Sequence, residues 1–238
     1  MNTTPVFEML REATPTISIG MLTADLLSLG SEISLLEQTD AKMVHFDVAD
    51  GVFCPMMTIG PPVVKAVKTP LLKDVHLLIQ DPLEKIGDFV SAGADIVTVH
   101  VESCVMARSI LREIGKMKNA NDPDRGIVRG IALNPETPVQ IIGPLLDEVE
   151  MVMLLAVQPG VTSQFHDATP GRLAKAREMI AKSGKDILLT VDGGIKRDNI
   201  ADVAKMGADI VVTGSAVFDG KDPIGNARHM LSMVRVGG

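Results

Sequence analysis

Histidine and aspartate alternate at the end of an apolar stretch, in the run His45-Phe46-Asp47. The lead-in Met43-Val44 is apolar, which predicts a buried strand that ends on these polar residues. Side chains two residues apart in a strand point to the same face, so His45 and Asp47 should project together. Imidazole and carboxylate groups both bind divalent metals, and the pair therefore predicts half of a metal site.

Further ionisable side chains follow other apolar runs of the chain. His76 ends one run, Asp192 follows another, and His100 and Glu102 repeat the two-residue spacing. A core histidine or a helix N-cap explains each residue alone, but burying several ionisable groups at one place is costly without a partner. Two imidazoles and two carboxylates suit Zn²⁺, Mn²⁺, Fe²⁺ or Co²⁺ better than Mg²⁺ or Ca²⁺, and the residues expected at one rim are His45, His76, His100, Asp47 and Asp192. His100 and Glu102 fit a place behind these ligands, a substrate contact or a structural role.

The elements that must position these residues alternate from end to end of the chain. Eight strand-like runs, each followed by a helical pattern, predict an α/β fold of the (β/α)₈ TIM barrel type. The predicted strands are 16–22, 43–48, 72–78, 95–101, 127–133, 149–157, 186–191 and 209–213. The predicted helices are 24–38, 62–68, 82–91, 104–117, 138–146, 170–182, 197–206 and 223–236. We expect a single domain over residues 1–238, with 1–14 as an N-terminal extension.

An internal echo supports the barrel. The run Gly93-Ala94-Asp95 before the predicted fourth strand recurs as Gly207-Ala208-Asp209 before the eighth, four units later. Glycine suits the position after a helix, where a left-handed backbone is needed, and aspartate opens the next strand in both places. Chance use of a common turn is the alternative to a repeated half barrel.

Small residues follow the predicted seventh and eighth strands, in Asp192-Gly193-Gly194 and Gly214-Ser215. In barrels of this kind catalysis occurs at the C-terminal ends of the strands, and the last two loops commonly bind phosphate through backbone N–H groups. Ordinary glycine-containing turns are the alternative. The position of these small residues in the last two loops favours a barrel of the phosphate-binding type.

The composition excludes several classes of function. The net charge of -7 argues against general nucleic-acid binding, and the lack of Trp and Tyr argues against stacking on bases. No apolar run approaches a transmembrane span, and the first residues do not form a signal peptide. The 2 cysteines are far apart without a Cys-x-x-Cys pair, which predicts a reducing, cytoplasmic location and no thiolate metal site.

Seven motifs, in order, resemble the ribulose-phosphate 3-epimerase family over residues 17–218. They are Leu-Thr-Ala-Asp (22–25), His-Phe-Asp-Val-Ala-Asp-Gly (45–51), Ile-Gly-Pro-Pro (59–62), Asp-Val-His-Leu (74–77), Ala-Leu-Asn-Pro-Glu-Thr-Pro (132–138), Val-Asp-Gly-Gly-Ile (191–195) and Gly-Ser-Ala-Val-Phe (214–218). The Asp-x-Lys-x-x-Asp pattern of the related decarboxylase and hexulose-phosphate synthase barrels is missing after the predicted second strand.

The resemblance implies a metal-dependent epimerase that inverts C3 of a ketose phosphate through an ene-diolate, with ribulose 5-phosphate and xylulose 5-phosphate as the default pair. It implies that His45, Asp47, His76 and Asp192 hold one divalent ion, and that Asp47 and Asp192 form the acid/base pair. It also implies a homo-oligomer, by analogy with the family. The implied substrate contacts are Gly20, His76, Gly160, Thr162, Ser163, Gly193, Gly194, Gly214 and Ser215.

The chain departs from the family pattern around the expected pocket. Gly20 replaces a family serine, and Ala49, Leu78 and Leu155 replace methionines. Thr162-Ser163 stands where the family has Gly-rich sequence. The alternatives are therefore an epimerase, isomerase or aldolase acting on another ketose phosphate, such as allulose 6-phosphate or a tetrulose phosphate, and a non-catalytic sugar-phosphate-binding barrel.

Overall fold

Eight parallel strands close into a barrel, in sequence order, in the computed structural model, which describes residues 4–161 and 164–237. The ring closes where Thr16 of the first strand pairs with Ile210 of the last. This confirms the expected (β/α)₈ barrel. The strands are β1 (Thr16–Gly20), β2 (Met43–Ala49), β3 (Leu72–Leu78), β4 (Ile96–His100), β5 (Val128–Leu133), β6 (Met151–Leu155), β7 (Leu188–Asp192) and β8 (Ile210–Thr213).

Helices cover the outside of the barrel. They are α1 (Pro5–Ala13), α2 (Leu29–Leu36), α3 (Pro61–Ala66), α4 (Ile86–Ser91), α5 (Ala107–Lys116), α6 (Thr169–Ser183), α7 (Ile200–Ala204) and α8 (Pro223–Gly237). In α5 the apolar residues Ile110, Leu111 and Ile114 recur at helical spacing and are buried, so packing against the strands stabilises the helix. Among the described residues, no helix has both the length and the apolar character that a membrane crossing requires.

Three predicted helices have a different form in the structure, and one of them, 82–91, is divided into a 3₁₀ turn, Pro82–Glu84, and α4. The predicted helix 24–38 is divided into a 3₁₀ turn, Leu26–Ser28, and α2. The predicted helix 138–146 is a 3₁₀ segment, Val139–Leu145, with Pro144 inside it. Proline lacks an N–H group and its ring collides with the preceding turn, so Pro144 is incompatible with a regular α-helix at this point.

Helix α1 lies in the region that the sequence predicted to be an extension. Thr4 caps it by accepting a hydrogen bond from the N–H of Phe7, and Pro5 suits its first turn. Val6, Phe7 and Leu10 are fully buried and pack against the first residues of the strands. The helix therefore closes the N-terminal end of the barrel and leaves the C-terminal end for polar residues.

The repeated Gly-Ala-Asp run makes equivalent hydrogen bonds in the two halves of the barrel. The N–H of Asp95 donates to the carbonyl of Lys73 at 2.9 Å, and the Asp95 carboxylate accepts from the N–H of Lys73 at 2.9 Å. Asp209 makes the same two bonds with Leu189, each at 2.7 Å. The carboxylates thus fix the β3–β4 and β7–β8 pairs in the same way, and the echo in the sequence is a structural repeat.

Candidate active site

The four predicted metal ligands lie together at the C-terminal end of the barrel. One ligand atom from each of His45, Asp47, His76 and Asp192 lies within 4.8 Å of all the others. Alternation along β2 places His45 and Asp47 on one face, and strand register sets Asp47 opposite His76 of β3. Asp192 is the last residue of β7. The expected convergence of strands two, three and seven therefore exists.

The separations between ligand atoms are those of a single ion site. His45 Nε2 lies 3.2 Å from Asp47 Oδ1 and 3.8 Å from Asp192 Oδ2. His76 Nδ1 lies 3.0 Å from Asp47 Oδ1 and 3.6 Å from Asp192 Oδ2. Ligands about 2.1 Å from one ion stand roughly 3–4 Å from each other, so the four residues could hold a divalent metal. The two rings offer different nitrogens, Nε2 and Nδ1.

A buried carboxylate orients the first of these rings. His45 Nδ1 lies 2.7 Å from Asp74 Oδ2, and the hydroxyl of Ser18 donates to the same oxygen at 2.9 Å. All three side chains are buried inside the barrel. Because an ionised carboxylate only accepts hydrogen bonds, His45 Nδ1 carries a proton, and Nε2 is the nitrogen that would bind an ion in the shared space.

A second imidazole lies behind the other ring. His76 Nε2 lies 2.8 Å from His100 Nε2, and His100 Nδ1 lies 3.1 Å from Glu102 Oε2. Burial lowers the pKa of His100 to about 4, although Glu102 opposes this shift, so His100 is neutral at neutral pH. The pair His100 and Glu102, for which the sequence left several roles open, lies behind a predicted ligand.

Loop residues hold the end of β2 in place. The Thr58 hydroxyl donates to the carbonyl of Asp47 at 2.6 Å and accepts from the N–H of Ala49 at 2.8 Å. Asp50 accepts from the N–H groups of Val52 and Phe53, at 2.8 and 2.9 Å, and from that of Gln80, at 2.9 Å. Asp50 therefore orders two loops and contributes no atom to the four-residue cluster.

Burial and charge shift the pKa values of the two carboxyl groups of the cluster in opposite directions. Burial alone would raise the pKa of Asp47, but His45 and His76 hold it well below its usual range. Burial and the neighbouring Asp47 charge raise the pKa of Asp192 to about 6. Burial opposes a charged imidazole at position 45, yet Asp74 and Asp47 raise the pKa of His45 well above its usual value. One carboxyl group therefore favours the ionised form and the other retains a proton more readily.

Glycines and small side chains line a cavity of about 160 Å³ beside the cluster. Asp47 and Asp192 reach it, and the other predicted site residues on its wall are Gly20, Gly193, Gly194, Gly214 and Ser215. A Cβ at Gly214 would lie 2.6 Å from the carbonyl oxygen of Gly20 and 2.9 Å from Thr23 Oγ1. Glycine at 214 therefore permits the close approach of β1 and β8 here.

Other predicted substrate contacts lie elsewhere. Gly160 has a positive φ of 69° and packs against Pro55 and Met56, so it lies beside the loop after β2 and not on the wall of this cavity. Thr162 and Ser163 lie outside the described residues. Of the residues that replace family methionines, Ala49 and Leu78 pack together with Cys54, and Leu155 belongs to the inner barrel core.

The two residues behind His45 received no role from the sequence. Asp74 lies two positions before His76, so the alternation rule already places both side chains on one face. Ser18 gives no comparable signal, because its contact with Asp74 depends on the closing of the barrel across 56 residues of sequence.

Comparison with known proteins assigns most of the chain to one family. Residues 16–218 match the ribulose-phosphate 3 epimerase family. Ribulose-phosphate 3-epimerase of Bacillus subtilis (strain 168) is 38% identical over 211 residues, which cover 87% of this chain and 93% of the relative. Ribulose-phosphate 3-epimerase 2 of Cupriavidus necator is 37% identical over 225 residues, which cover 90% of this chain and 89% of the relative.

Solved structures share the fold at low sequence identity. KGPDC from Streptococcus mutans has a TM-score of 0.67 and 14% identity, with 94% of this chain and 98% of that chain covered. The 3-hexulose-6-phosphate synthase from Salmonella typhimurium has a TM-score of 0.61 and 18% identity, with 94% and 100% covered. This likeness shows the barrel fold alone.

Proposed function

The chain belongs to the ribulose-phosphate 3-epimerase family, and on that premise we propose that it inverts C3 of a ketose phosphate, ribulose 5-phosphate and xylulose 5-phosphate being the default pair. The family makes the protein a carbohydrate epimerase of the isomerase class. The observation that carries the proposal is the pair Asp47 and Asp192, two carboxyl groups with opposite pKa shifts on the wall of one cavity.

Epimerisation next to a carbonyl requires a base and an acid. One group removes the proton from C3, which gives an ene-diolate, and another returns a proton to the opposite face of that carbon. Asp47, with its lowered pKa, suits the ionised partner, and Asp192, with its raised pKa, suits the protonated partner. For the reverse reaction, the two residues exchange roles. No redox cofactor is needed for this chemistry.

The proposed cofactor is one divalent metal ion. His45, Asp47, His76 and Asp192 would hold it, and their mixture of nitrogen and oxygen donors favours zinc, manganese, iron or cobalt. When bound, such an ion stabilises the negative charge of the ene-diolate. The barrel contributes a rigid frame, because His45 is fixed by Asp74 and the end of β2 by Thr58.

The proposed phosphate site is the glycine-lined part of the same cavity. Gly193, Gly194, Gly214 and Ser215 follow β7 and β8 there, and small residues allow a phosphate to approach backbone N–H groups. Gly20 and His76 complete the described substrate contacts that we propose. Contacts from Gly160, Thr162 and Ser163 remain predictions.

A different ketose phosphate is the second candidate, and the observation that favours it is the absence of a side chain at Gly20 on the cavity wall. A Cβ at this position would lie 3.4 Å from Gly214 Cα, so the site could accept a side chain that it lacks. The space can instead receive part of a substrate, such as allulose 6-phosphate or a tetrulose phosphate. The experiment below compares these substrates directly.

The test is proton exchange at C3. The metal-loaded protein is incubated with D-ribulose 5-phosphate in D₂O, and the C3 proton and the formation of xylulose 5-phosphate are followed by NMR. We expect exchange and epimerisation, loss of both after metal removal by a chelator, and a decrease of about 10²–10⁴-fold in Asp192→Asn. Asp198→Asn, an exposed carboxyl on the loop after β7, is the matched control and should retain the wild-type rate.

The outcomes separate the candidates. Exchange only with a longer or shorter ketose phosphate would assign that substrate. Cleavage of a carbon–carbon bond or migration of the carbonyl would indicate an aldolase or an isomerase. Ligand binding without exchange for every substrate would refute the epimerase and leave a sugar-phosphate-binding barrel.

A further inference from the structure

His76 has two possible acceptors for one proton. Its Nδ1 lies 3.0 Å from Asp47 Oδ1, and its Nε2 lies 2.8 Å from His100 Nε2. A neutral imidazole carries a proton on only one nitrogen. If the proton is on Nδ1, it points at Asp47 and blocks the lone pair that a metal requires. If it is on Nε2, the Nδ1 lone pair is free. The tautomer of this ring therefore decides whether the cluster is ready for an ion.

The two residues behind His76, His100 and Glu102, determine that tautomer. Glu102 Oε2 lies 3.1 Å from His100 Nδ1, and an ionised carboxylate only accepts. His100 Nδ1 is therefore the donor, which leaves the Nε2 of a neutral His100 as an acceptor. The Nε2 of His76, which faces that acceptor, must then donate. The contacts among Glu102, His100 and His76 therefore determine which nitrogen of each ring carries the proton.

Glu102 is itself fixed. Its Oε1 accepts a hydrogen bond from the N–H of Asn134 at 2.7 Å and another from the Thr137 hydroxyl. The guanidinium of Arg172, on α6, donates to the carbonyls of Asn134 and Thr137, at 2.8 and 2.6 Å. Glu102, His100 and His76 form a series of contacts that we call the relay. Its carboxylate is held by residues that follow β5 and by a helix that follows β6. It cannot turn away from His100 without breaking these bonds.

We propose that Glu102, acting through His100, is a positioning residue that fixes His76 in the tautomer whose Nδ1 lone pair faces the cation site. The proposal rests on the metal site of the proposed function. The comparison within the molecule supports it, because His45 has a carboxylate, Asp74, in direct contact with its rear nitrogen. His76 has an imidazole in that place, and a carboxylate one step further back completes the same arrangement.

The first measurement locates the protons without using turnover. The protein is labelled with ¹⁵N and loaded with zinc, and the ring signals of its 5 histidines are assigned by NMR. We expect protons on His76 Nε2 and His100 Nδ1, with a nitrogen–nitrogen coupling across the short contact of the two rings. A proton on His100 Nε2 would overturn the relay. Failure to bind zinc at all would overturn the metal site of the proposed function as well.

The second measurement is zinc affinity by competition with a chelator. Glu102→Leu should bind zinc about 10–100-fold more weakly than the wild type, the usual effect of losing a group that orients a metal ligand. Glu136→Gln is the matched control, because Glu136 forms an exposed pair with His166 at 3.0 Å, and it should leave the affinity unchanged. An unchanged affinity in a folded Glu102→Leu would overturn the proposal.

A second pair of variants decides the question if Glu102→Leu does not fold. His100→Phe keeps an aromatic ring and removes the acceptor, whereas His100→Gln keeps an acceptor near the position of Nε2. We expect His100→Gln to bind zinc at least about tenfold more tightly than His100→Phe. Equal affinities would show that the ring only fills space and would overturn the relay.

Discussion

Replacing Gly214 with alanine tests the close approach that forms the glycine-lined cavity. The added Cβ would lie 2.6 Å from the carbonyl oxygen of Gly20. Ordinary carbon–oxygen contacts are roughly 3.3 Å, so the loop after β8 must move by about half an ångström or more. The obstacle is backbone, which cannot rotate away. Gly214 is also not among the glycines with a positive φ, so the contact and not the backbone conformation determines the outcome.

The expected cost follows from this displacement. Overpacking of this kind destabilises a protein by about 1–3 kcal/mol. For a chain of this length each kcal/mol lowers Tm by about 2–4 °C, so we expect a decrease of roughly 2–12 °C. Backbone N–H groups proposed to bind phosphate would move by the same amount. A hydrogen bond to a charged group is worth about 1.5–3 kcal/mol, so KM should rise by roughly tenfold or more.

Thermal unfolding by circular dichroism and steady-state kinetics measure the two effects. Gly20→Ser is the matched control across the same contact, because its Cβ would meet Gly214 Cα at an ordinary 3.4 Å. The Tm of Gly20→Ser should be close to that of the wild type. Gly171→Ala, in α6, should be slightly stabilising, because the added Cβ would meet no atom of another element within 4 Å. A Gly214→Ala protein with wild-type Tm and KM would refute the reasoning.

Three further predictions concern stability and metal binding. Asp74→Asn should weaken zinc binding by about 10–100-fold, measured by chelator competition, because it removes the charge behind His45. In the metal-free protein the raised pKa of Asp192 contributes stability that is present at low pH and is lost as pH rises from about 4 to about 6. The free energy of unfolding of Asp192→Asn, measured with denaturant, should therefore rise relative to that of the wild type over that range, by up to about 3 kcal/mol. A constant difference would contradict this. Phe7→Ala should cost about 3–5 kcal/mol in the same assay, because the ring is buried at the closed end of the barrel; a cost below about 1 kcal/mol would mean that α1 packs loosely.

The closeness of His45, Asp47, His76 and Asp192 could be predicted from the sequence because two simple rules act together. Alternation along a strand sets the face of His45 and Asp47, and the parallel barrel brings the ends of β3 and β7 to the same rim. Neither rule depends on how a side chain rotates. The alternation rule also applies to Asp74, whose role follows once its register with His45 is known.

Other features depend on long-range packing and gave weaker signals. The nitrogen that each imidazole presents to the cluster depends on its neighbours on adjacent strands, and Glu102 is held by groups 32 and 35 residues away. Helix α1 has only nine residues, and its stability comes from the barrel end that it covers. The 3₁₀ segment at Val139–Leu145 has apolar residues at near-helical spacing, and Pro144 inside it is the signal against an α-helix.

The repeated Gly-Ala-Asp run implies an approximate twofold symmetry of the barrel. Lys73 and Leu189 pair with its two aspartates in the same way, so they are symmetry mates. Three positions further along β3 and β7 stand His76 and Asp192, which are therefore mates as well. One position of the repeat is thus a predicted imidazole ligand in the first half and a predicted carboxylate ligand in the second.

The mates of the other two ligands are apolar. Strand pairing sets Asp47 opposite His76 and Leu155 opposite Asp192, so Leu155 occupies the place of Asp47 in the second half. By the same pairing, Met153 occupies the place of His45. A fully symmetric barrel would place polar ligands on both sides of the pair formed by residues 76 and 192. Here the backbone is approximately symmetric but the side chains are not, so the four-residue cluster lies to one side of the pair, and we expect an ion and a substrate to meet in one relative orientation.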